Sequence, residues 1–251
     1  MSSSLAIGID IGGTGIKGAI VDLTEGTLVT DRVKVPTPQG GEPNDIVDTV
    51  VRMINGFGAH GNDLPVGICF PAVVLHGRTM SAANVSKRWI GLEAEALFEK
   101  ALTRDIRFIN DADAAAVAEA KYGAAKNVGG LVILSTLGTG IGSGLLFNGV
   151  LIPNAELGHL EIDGKDAESR AAYSAKERES LSWEDWAKRL QRYFETLDAL
   201  LSPELIVVGG GVSKEYAHFV PLLKLRPKIV PAVLRNNAGI LGAAWMTGVA
   251  S

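Results

Sequence analysis

Leu5-Ala-Ile-Gly-Ile-Asp10, followed by the turn Ile11-Gly-Gly-Thr-Gly-Ile-Lys17, is the stretch that decides the fold of this chain. An apolar run ends there in a carboxylate, and a second apolar run after the turn, Gly18 to Asp22, predicts a hairpin. The pattern recurs as an apolar run, a glycine turn and a returning run in Leu131 to Leu134, Leu137-Gly-Thr-Gly-Ile-Gly142 and Gly144 to Phe147. This internal repeat predicts two related lobes.

Segments of strand and helix pattern alternate along the rest of the chain. The predicted strands are Thr27 to Val35, which completes a meander, Val66 to Phe70, Ile106 to Asn110 and Leu205 to Val208. The predicted helices are Asn44 to Phe57 with Asn44 or Asp45 as N-cap, Asp113 to Tyr122 with Gly123 as its stop, Leu181 to Leu201, and Asn237 to Thr247. The alternation indicates an α/β protein. We expect a first lobe over 1–112, a second over 113–236, a C-terminal helix in 237–251 packing back on the first lobe, and an active cleft between the lobes.

Composition narrows the function classes. The formal net charge of −4 argues against a broad surface for nucleic acid or an anionic membrane. The start of the chain lacks a signal-peptide pattern, and no later run reaches the ~20 apolar residues of a membrane span. The single cysteine, Cys69, lies in an apolar run and cannot form an intrachain disulfide. These features predict a cytoplasmic protein with a buried, inert thiol.

Three glycine clusters predict a phosphate-binding site, because glycine amides on a tight turn can point at phosphate oxygens without a Cβ in the way. The candidate donor-binding residues are Asp10, Gly12, Gly13, Thr14, Gly15 and Lys17 in the first cluster, Gly138, Thr139 and Gly140 in the second, and Gly210 and Gly211 in the third. The third cluster, Gly209 to Ser213, is expected to open a helix. Asp10 is the candidate to hold Mg²⁺ through water, whereas Lys17 either offsets phosphate charge or is simply solvated. A lone glycine turn is also compatible with an ordinary hairpin, and none of the clusters is a Walker loop or a Rossmann fingerprint.

Asp111 is the candidate catalytic base. It follows a predicted strand and precedes a helix, so its carboxylate can accept the proton of an attacking hydroxyl in phosphoryl transfer. The alternative is a helix N-cap. Asn84, Glu156 and His159 lie in loops and have the donors and acceptors that vicinal sugar hydroxyls require. Asn84 could instead be a turn residue, and His159 a surface histidine or a metal ligand.

Taken together, the motifs resemble the ROK (repressor, open reading frame, kinase) sugar kinases, and within them the bacterial polyphosphate glucokinases. The resemblance spans nearly the whole chain and depends on six segments: Asp10-Ile-Gly-Gly-Thr14, Ser81-Ala-Ala-Asn84, Asn110-Asp111-Ala-Asp113, Gly138-Thr-Gly-Ile-Gly142, Glu156-Leu-Gly-His159 and Gly209-Gly-Gly-Val-Ser213. It implies the actin-like ATPase (ribonuclease H-like) fold with two duplicated lobes and an interlobe cleft. It also implies transfer of a phosphoryl group to the 6-hydroxyl of glucose, with Asp111 as base and Asn84, Asn110, Glu156 and His159 on the sugar.

One segment departs from the usual family pattern. Typical ROK members follow the Gly-His element with a cysteine-rich zinc motif, whereas Glu161 to Ser180 contains no cysteine. We therefore expect no structural zinc. The polyphosphate glucokinases also lack the zinc motif. They have instead a charged stretch similar to Ala167 to Arg178, followed by an element similar to Ser182-Trp-Glu-Asp-Trp186. Glu168 is the candidate for the later sugar-binding glutamate of other ROK kinases.

Inorganic polyphosphate, ATP or both are the expected donors, together with Mg²⁺. A polyphosphate enzyme should offer a row of cations, and the candidates are Lys17, Lys87, Arg88, Lys121, Lys126, Arg170, Lys176, Arg178 and Lys214. Neighbouring acidic residues also fit a mixed solvated surface. Related kinases bind adenosine at the turn that corresponds to Gly209 to Gly211, so ATP stays among the expected donors.

Several alternatives stay open at this point. They are an ATP-only ROK kinase for mannose, fructose or an N-acetylated sugar, a non-enzymatic sugar sensor, and a switching ATPase. A sugar-responsive repressor of this family would carry a DNA-binding module before the first strand. We expect the first strand to begin at Leu5, which leaves no room for such a module. The resemblance predicts a homodimer. Neither the choice between glucose and mannose nor the donor preference follows from the motifs.

Overall fold

The computed structural model describes residues 4–248. The chain divides into two compact units. The first unit comprises the chain up to Ala118 and from Asn237 onward, and the second unit comprises Glu119–Asn236. Each unit is built on one mixed β-sheet. Across the described residues, no helix is both long and apolar enough to cross a membrane.

The strands, in chain order, are β1 (Leu5–Ile11), β2 (Gly15–Asp22), β3 (Thr27–Leu28), β4 (Val33–Pro36), β5 (Val66–Phe70), β6 (Val74–Leu75), β7 (Arg78–Thr79), β8 (Ile106–Asn110), β9 (Leu131–Leu137), β10 (Ile141–Phe147), β11 (Val150–Ile152), β12 (Glu161–Ile162), β13 (Lys165–Asp166), β14 (Leu205–Gly209) and β15 (Lys228–Pro231). The helices are α1 (Pro43–Asn55), α2 (Ala94–Leu102), α3 (Asp111–Tyr122), α4 (Ala167–Ala171), α5 (Tyr173–Arg178), α6 (Trp183–Leu201) and α7 (Ala238–Met246). Short 3₁₀ segments connect several of them.

The two main sheets repeat one topology. In the first unit the strand order is β3-β2-β1-β5-β8, and in the second it is β11-β10-β9-β14-β15. In both, an antiparallel hairpin (β1-β2 or β9-β10) is extended on its first-strand side by two parallel strands. The duplication predicted from the two glycine turns is therefore present in the strand order. A buried cluster around β1, β5, α1 and Trp89 forms the first core, and one around β14, α6 and Trp186 forms the second.

Helix α7 joins the first unit through two glycines. Gly8 and Gly67 are register partners on the parallel strands β1 and β5. A Cβ added to Gly8 would lie 2.0 Å from the carbonyl oxygen of Ile240, and one added to Gly67 would lie 1.8 Å from that of Ala243. The backbone of α7 therefore rests directly on the sheet, in a groove that any larger side chain would fill. The rest of the predicted 237–251 helix includes residues 249–251, which lie outside the described residues.

Several predicted elements differ from the observed ones. Both glycine turns are shorter than predicted, because the flanking strands extend to Ile11 and Leu137 and resume at Gly15 and Ile141. The predicted strand Thr27 to Val35 is interrupted and forms β3 and β4, which both pair with β2. Glu42, rather than Asn44 or Asp45, is the N-cap of α1, because Pro43, which has no N–H to satisfy, takes the first helical position.

Two further differences concern the glycine and aspartate motifs. Helix α3 begins at Asp111 and not at Asp113, so Asp111 is its first helical residue. The third glycine cluster opens an eight-residue 3₁₀ segment, Gly211–His218, in place of the predicted helix. The sequence patterns also missed α2 and the edge strand β15.

Candidate functional site

Two aspartates lie at the same edge of the first sheet. Asp10 is the register partner of Cys69, and Phe70 is the partner of Asn110, so the parallel strands β1, β5 and β8 end side by side. Asp10 is the penultimate residue of β1, and Asp111 follows β8 directly. Parallel topology thus brings the two carboxylates predicted for metal and base chemistry to the carboxyl ends of β1 and β8, two strands separated by β5, where ligands bind in open α/β sheets.

In the structure, the first glycine turn between β1 and β2 consists of Gly12, Gly13 and Thr14. The amide of Gly12 donates to the carbonyl of Gly15 at 3.0 Å, and the Thr37 hydroxyl donates to the carbonyl of Gly12 at 2.5 Å. A phosphate therefore has to be met by the amides of the other turn residues. Gly15 itself is buried in β2 and paired with Pro36.

Asn84 packs directly against this turn. A Cβ on Gly13 would lie 2.6 Å from the Cβ of Asn84 and 2.8 Å from its carbonyl oxygen. Asn84 adopts a left-handed conformation with φ of 60°, which asparagine tolerates better than most residues. Its side chain is exposed. The residue predicted for sugar binding and the turn predicted for phosphate binding are therefore in contact within the first unit.

Asp10 has three close neighbours in the first unit. Its Oδ2 accepts a hydrogen bond from the Lys17 ammonium at 2.7 Å, and its Oδ1 lies 3.8 Å from the Cys69 sulfur. A Cβ on Gly239 of α7 would lie 2.9 Å from the Asp10 Cγ. Lys17 is thus neither free on a turn nor simply solvated, because it sits in β2 and neutralises Asp10. Burial, followed by the charges of Asp10 and Asp111, raises the pKa of the Cys69 thiol well above its ordinary value, so the cysteine is an inert thiol.

Asn110 provides the cap of α3. Its Oδ1 accepts hydrogen bonds from the amides of Ala112 at 2.8 Å and Asp113 at 3.0 Å, and its Nδ2 donates to the carbonyl of Ala72 at 3.0 Å. A carboxamide has two acceptor sites and two donors, so one N–H is left for any ligand. The alternative reading of Asp111 as the helix N-cap is thereby weakened, because Asn110 already supplies the capping oxygen. Asp111 is half-buried and accepts from the Ala112 amide at 2.8 Å.

In the second unit, the second glycine turn is tied to Glu168 and Ser174. The Gly138 amide donates within the turn, to Gly140, at 2.9 Å. The Ser174 amide donates to the Gly138 carbonyl at 3.0 Å, and its hydroxyl donates to the Thr139 carbonyl at 2.6 Å. The Glu168 carboxylate accepts from the Ile141 amide at 2.7 Å, and a Cβ on Gly140 would lie 2.3 Å from it. A carboxylate therefore occupies the end of a turn that was predicted to hold phosphate.

The third glycine cluster adjoins the second turn. Gly210 has φ of 81°, and a Cβ there would lie 2.5 Å from the carbonyl oxygen of Leu137, the last residue of β9. Only glycine fits a position that combines a left-handed backbone with so close an approach. Gly211 borders open space. The second and third clusters thus form one glycine-lined region of the second unit.

Glu156, His159 and Asp166 form a polar group in the same unit. His159 Nδ1 lies 2.9 Å from Asp166 Oδ2, and His159 Nε2 lies 3.9 Å from Glu156 Oε2. The hydrogen bond to Asp166, followed by the charges of nearby carboxylates, raises the pKa of His159 despite partial burial. Burial raises the pKa of Glu156, and the nearby Glu168 adds to the shift while His159 opposes it. For Asp166 burial acts upward, but the His159 and Ser169 hydrogen bonds outweigh it and leave the pKa lowered.

The sequence did not identify four residues of these arrangements as site residues. Asp166, Ser174 and Gly239 support His159, the second turn and Asp10 respectively, and Cys69 lies beside Asp10. Only Asp166 carries a local signal, as the N-cap of α4, and that signal does not reveal its partner. Several predicted polyphosphate cations have protein partners: Arg88 pairs with Glu42, Arg178 with Glu179, Lys87 donates to the Ala82 carbonyl, and Lys176 lies over the Trp183 ring.

The structure has a candidate magnesium ligand in Asp10 but, in its described part, no cluster of metal ligands. Among residues 4–248, no group of three or more His, Cys, Asp or Glu side chains is arranged to hold a metal ion. Asp10 is a single carboxylate, which suits Mg²⁺, an ion that keeps most of its waters and takes one or two protein ligands. The structure thus offers Asp10 as a candidate for a hydrated magnesium ion.

The topology is that of an actin-like sugar kinase fold, and the chain belongs to the ROK family, whose model matches residues 6–171. It is 49% identical over 238 residues to a polyphosphate glucokinase of Mycobacterium tuberculosis strain CDC 1551 / Oshkosh, an alignment that covers 94% of this chain and 89% of the relative.

Solved structures agree with this assignment. The inorganic polyphosphate/ATP-glucomannokinase from Arthrobacter sp. strain KM superposes with a TM-score of 0.93 at 51% identity and 98% coverage of both chains. A ROK family glucokinase from Streptomyces griseus, in complex with glucose and AMPPNP, superposes with a TM-score of 0.78 at 25% identity, covering 96% of this chain and 98% of that one. The predicted actin-like ATPase fold and family are thereby confirmed.

Proposed function

We propose that this chain is a glucokinase that transfers a phosphoryl group from inorganic polyphosphate or ATP to the 6-hydroxyl of glucose, giving glucose 6-phosphate. The observation that carries the proposal is the contact of Gly13 in the first glycine turn with Asn84, at the end of the sheet where Asp10 and Asp111 lie at the carboxyl ends of β1 and β8. The names of the Mycobacterium and Arthrobacter relatives support the same acceptor and donors. Mannose is a further acceptor to test, because the Arthrobacter protein is a glucomannokinase.

Asp111 is the proposed base. Its carboxylate accepts the proton of the attacking hydroxyl and aligns the oxygen for attack on the terminal phosphoryl group. Its position supports this role, since it opens α3 at the carboxyl end of β8 while Asn110 performs the capping. Helix capping alone therefore does not account for an aspartate at this position.

Donor phosphates are proposed to lie on the glycine turns of the two units. In the first unit the amides of Gly13 and Thr14 meet phosphate oxygens, and Lys17 offsets charge once a ligand competes for its ammonium. Asp10 would hold Mg²⁺ through water, and that ion would neutralise charge on the transferring group. In the second unit Thr139, Gly140, Gly210 and Gly211 are the proposed donor-binding residues.

Sugar-binding residues are proposed in each of the two units. Asn84 contributes a carboxamide, and Glu156 with His159 contributes an acceptor and a donor. Asp166 fixes the His159 ring through Nδ1, which directs Nε2 toward a ligand. Asn110 has one amide N–H left for the sugar, and Glu168 has a carboxylate oxygen beside the second turn. These assignments make Asn110 the weaker sugar ligand and Asn84 the stronger.

Three features of the wider prediction belong to this proposal. They are a boundary between the two lobes at residues 112 and 113, a homodimer in the cytoplasm, and a fold that needs no structural zinc. Size-exclusion chromatography with light scattering tests the dimer, and a monomer at micromolar concentration would contradict it.

The deciding experiment measures glucose 6-phosphate formation by the full chain with nucleotide-free polyphosphate and, separately, with ATP, each with and without Mg²⁺. Product from polyphosphate is the expected result. Product from ATP alone would instead favour an ATP-only ROK hexokinase. Glucose binding by calorimetry with no product from either donor would favour a sugar sensor.

A further inference from the structure

A basic cavity of about 340 Å³ lies in the second unit, outside the glycine turns and the His159 group. Its walls come from the β12-β13 hairpin, α4 and α6. Five cations line it, namely Lys165, Arg170, Lys188, Arg189 and Arg192, with Asp163 as the one acidic residue among the lining. The whole chain has 24 Lys and Arg against 28 Asp and Glu, so this local excess runs opposite to the overall charge.

Neighbouring carboxylates neutralise only part of this charge. Arg192 pairs with Asp163 at 2.8 Å, Lys188 with Asp185 at 2.7 Å, and Arg189 with Glu179 at 2.5 Å. Of the five lining cations, Lys165 and Arg170 take part in none of these three pairs. The hydrogen bond from Arg189 lowers the pKa of Glu179 to about 2, so the Arg189–Glu179 pair is ionised at neutral pH.

The cations are partly fixed before any ligand arrives. The Arg189 guanidinium donates to the Arg170 carbonyl at 3.1 Å, and its side chain is only 19% exposed. Lys165 of β13 and Arg170 of α4 line the cavity and are exposed. A pre-organised guanidinium with two accessible cations suits phosphate oxyanions, which guanidinium groups bind through paired hydrogen bonds.

The five-residue helix α4 contributes to both the second glycine turn and the cavity. The Glu168 carboxylate accepts a hydrogen bond from the Ile141 amide at the end of the turn, whereas Ala167, Arg170 and Ala171 of the same helix line the cavity. A chain of linked phosphates can bind at two places on one protein at the same time.

We infer that this cavity is a second phosphate-binding site, which holds a distal stretch of the polyphosphate chain while its end lies at the glycine turns. The inference rests on the proposed function. Binding at two points makes the second contact intramolecular and raises the affinity for long chains without changing the transfer site.

The test compares two double variants that each remove two exposed cations from the second unit. K165A/R170A opens the cavity, and K224A/K228A, whose residues do not line it, is the matched control for the loss of charge. Kd for long-chain polyphosphate is measured by calorimetry without glucose, and KM is measured for long-chain polyphosphate, tripolyphosphate and ATP. Circular dichroism and Tm establish that both variants are folded.

For K165A/R170A we expect Kd and KM for long-chain polyphosphate to rise about fivefold to tenfold, a size typical of two partly exposed charge contacts. KM for tripolyphosphate, ATP and glucose should stay within about twofold of the unmodified chain, and the control should change little. An unchanged Kd for long chains, or an equal rise in both variants, overturns the inference. Absence of turnover with every donor would instead count against the proposed function, and the calorimetric comparison would still decide the second site.

Discussion

At the residue scale, the main finding is that two neighbouring polar residues have different structural roles. Asn110 and Asp111 are adjacent, yet the first caps α3 and donates a hydrogen bond to the Ala72 carbonyl, while the second is half-buried at the strand end. Both were predicted to contact the sugar because both occur in the family motif. Hydrogen-bond geometry separates them, since a carboxamide that already makes three bonds has little capacity left.

Replacing Asp111 tests its proposed role. Asp111→Asn keeps the shape of the side chain but removes the proton acceptor, so we expect kcat to fall by about 10²–10⁴-fold with little change in the KM for glucose. Asp105→Asn, at an exposed position before β8, is the control and should retain activity. Turnover close to that of the control would show that Asp111 is not the base.

The His159–Asp166 pair predicts a pH dependence. Asp166 raises the pKa of His159, so the histidine contributes stability fully below its unfolded pKa of about 6.5 and loses it as pH rises through the folded pKa. Asp166, whose folded-state pKa is lowered, contributes stability above its unfolded-state pKa. That stability is lost as pH falls through the folded-state pKa. Both side chains are largely exposed, so the pair contributes at most about 1 kcal/mol.

NMR titration of His159 measures this effect. Asp166→Asn should lower the pKa of His159 toward its ordinary value and raise the KM for glucose. The same pKa for His159 in both proteins would contradict the assigned hydrogen bond.

At the element scale, the glycines of β1 and β5 explain why α7 joins the first unit. The apolar pattern of α7 predicted a helix, and Gly8 and Gly67 looked like ordinary strand residues. Their function becomes visible only when the register pairs them and the helix backbone comes within van der Waals contact.

Gly67→Ala should therefore destabilise the fold. The added Cβ would lie 1.8 Å from the Ala243 carbonyl oxygen, and neither backbone can yield easily, so we expect a loss of roughly 2–4 kcal/mol in the free energy of unfolding. Gly129→Ala is the matched control, because its Cβ would meet only the Asn148 side chain at 3.8 Å. Urea denaturation followed by circular dichroism gives both values, and equal stabilities would contradict the packing argument.

At the scale of the whole molecule, the duplicated sheet order gives each unit a hairpin with a glycine turn, but the two turns have different surroundings. The first has Asn84 and the Asp10–Lys17 pair, and the second has Glu168 and Ser174. One repeated strand pattern therefore supports two different sets of contacts around its glycine turn.

Removing divalent metal tests the molecule as a whole. If Mg²⁺ acts only at Asp10 and the fold holds no zinc, EDTA should abolish phosphorylation, Mg²⁺ should restore it, and Tm should shift by less than about 2 °C. Zinc analysis by plasma mass spectrometry is the control. A large fall in Tm on chelation, with zinc present in equimolar amount, would show that the chain contains a structural metal.

The duplicated hairpins, the main strands and helices and the family could be predicted from the sequence, because apolar periodicity and glycine turns are local patterns that can be recognised without knowledge of the fold. Which side chains meet depends on tertiary packing. Asp166 orients His159, Glu168 occupies the end of the second turn, α7 rests on Gly8 and Gly67, and five cations of β13, α4 and α6 surround one cavity. These contacts join elements that no local pattern relates, since strand register and backbone approach are set by the packing of the whole unit.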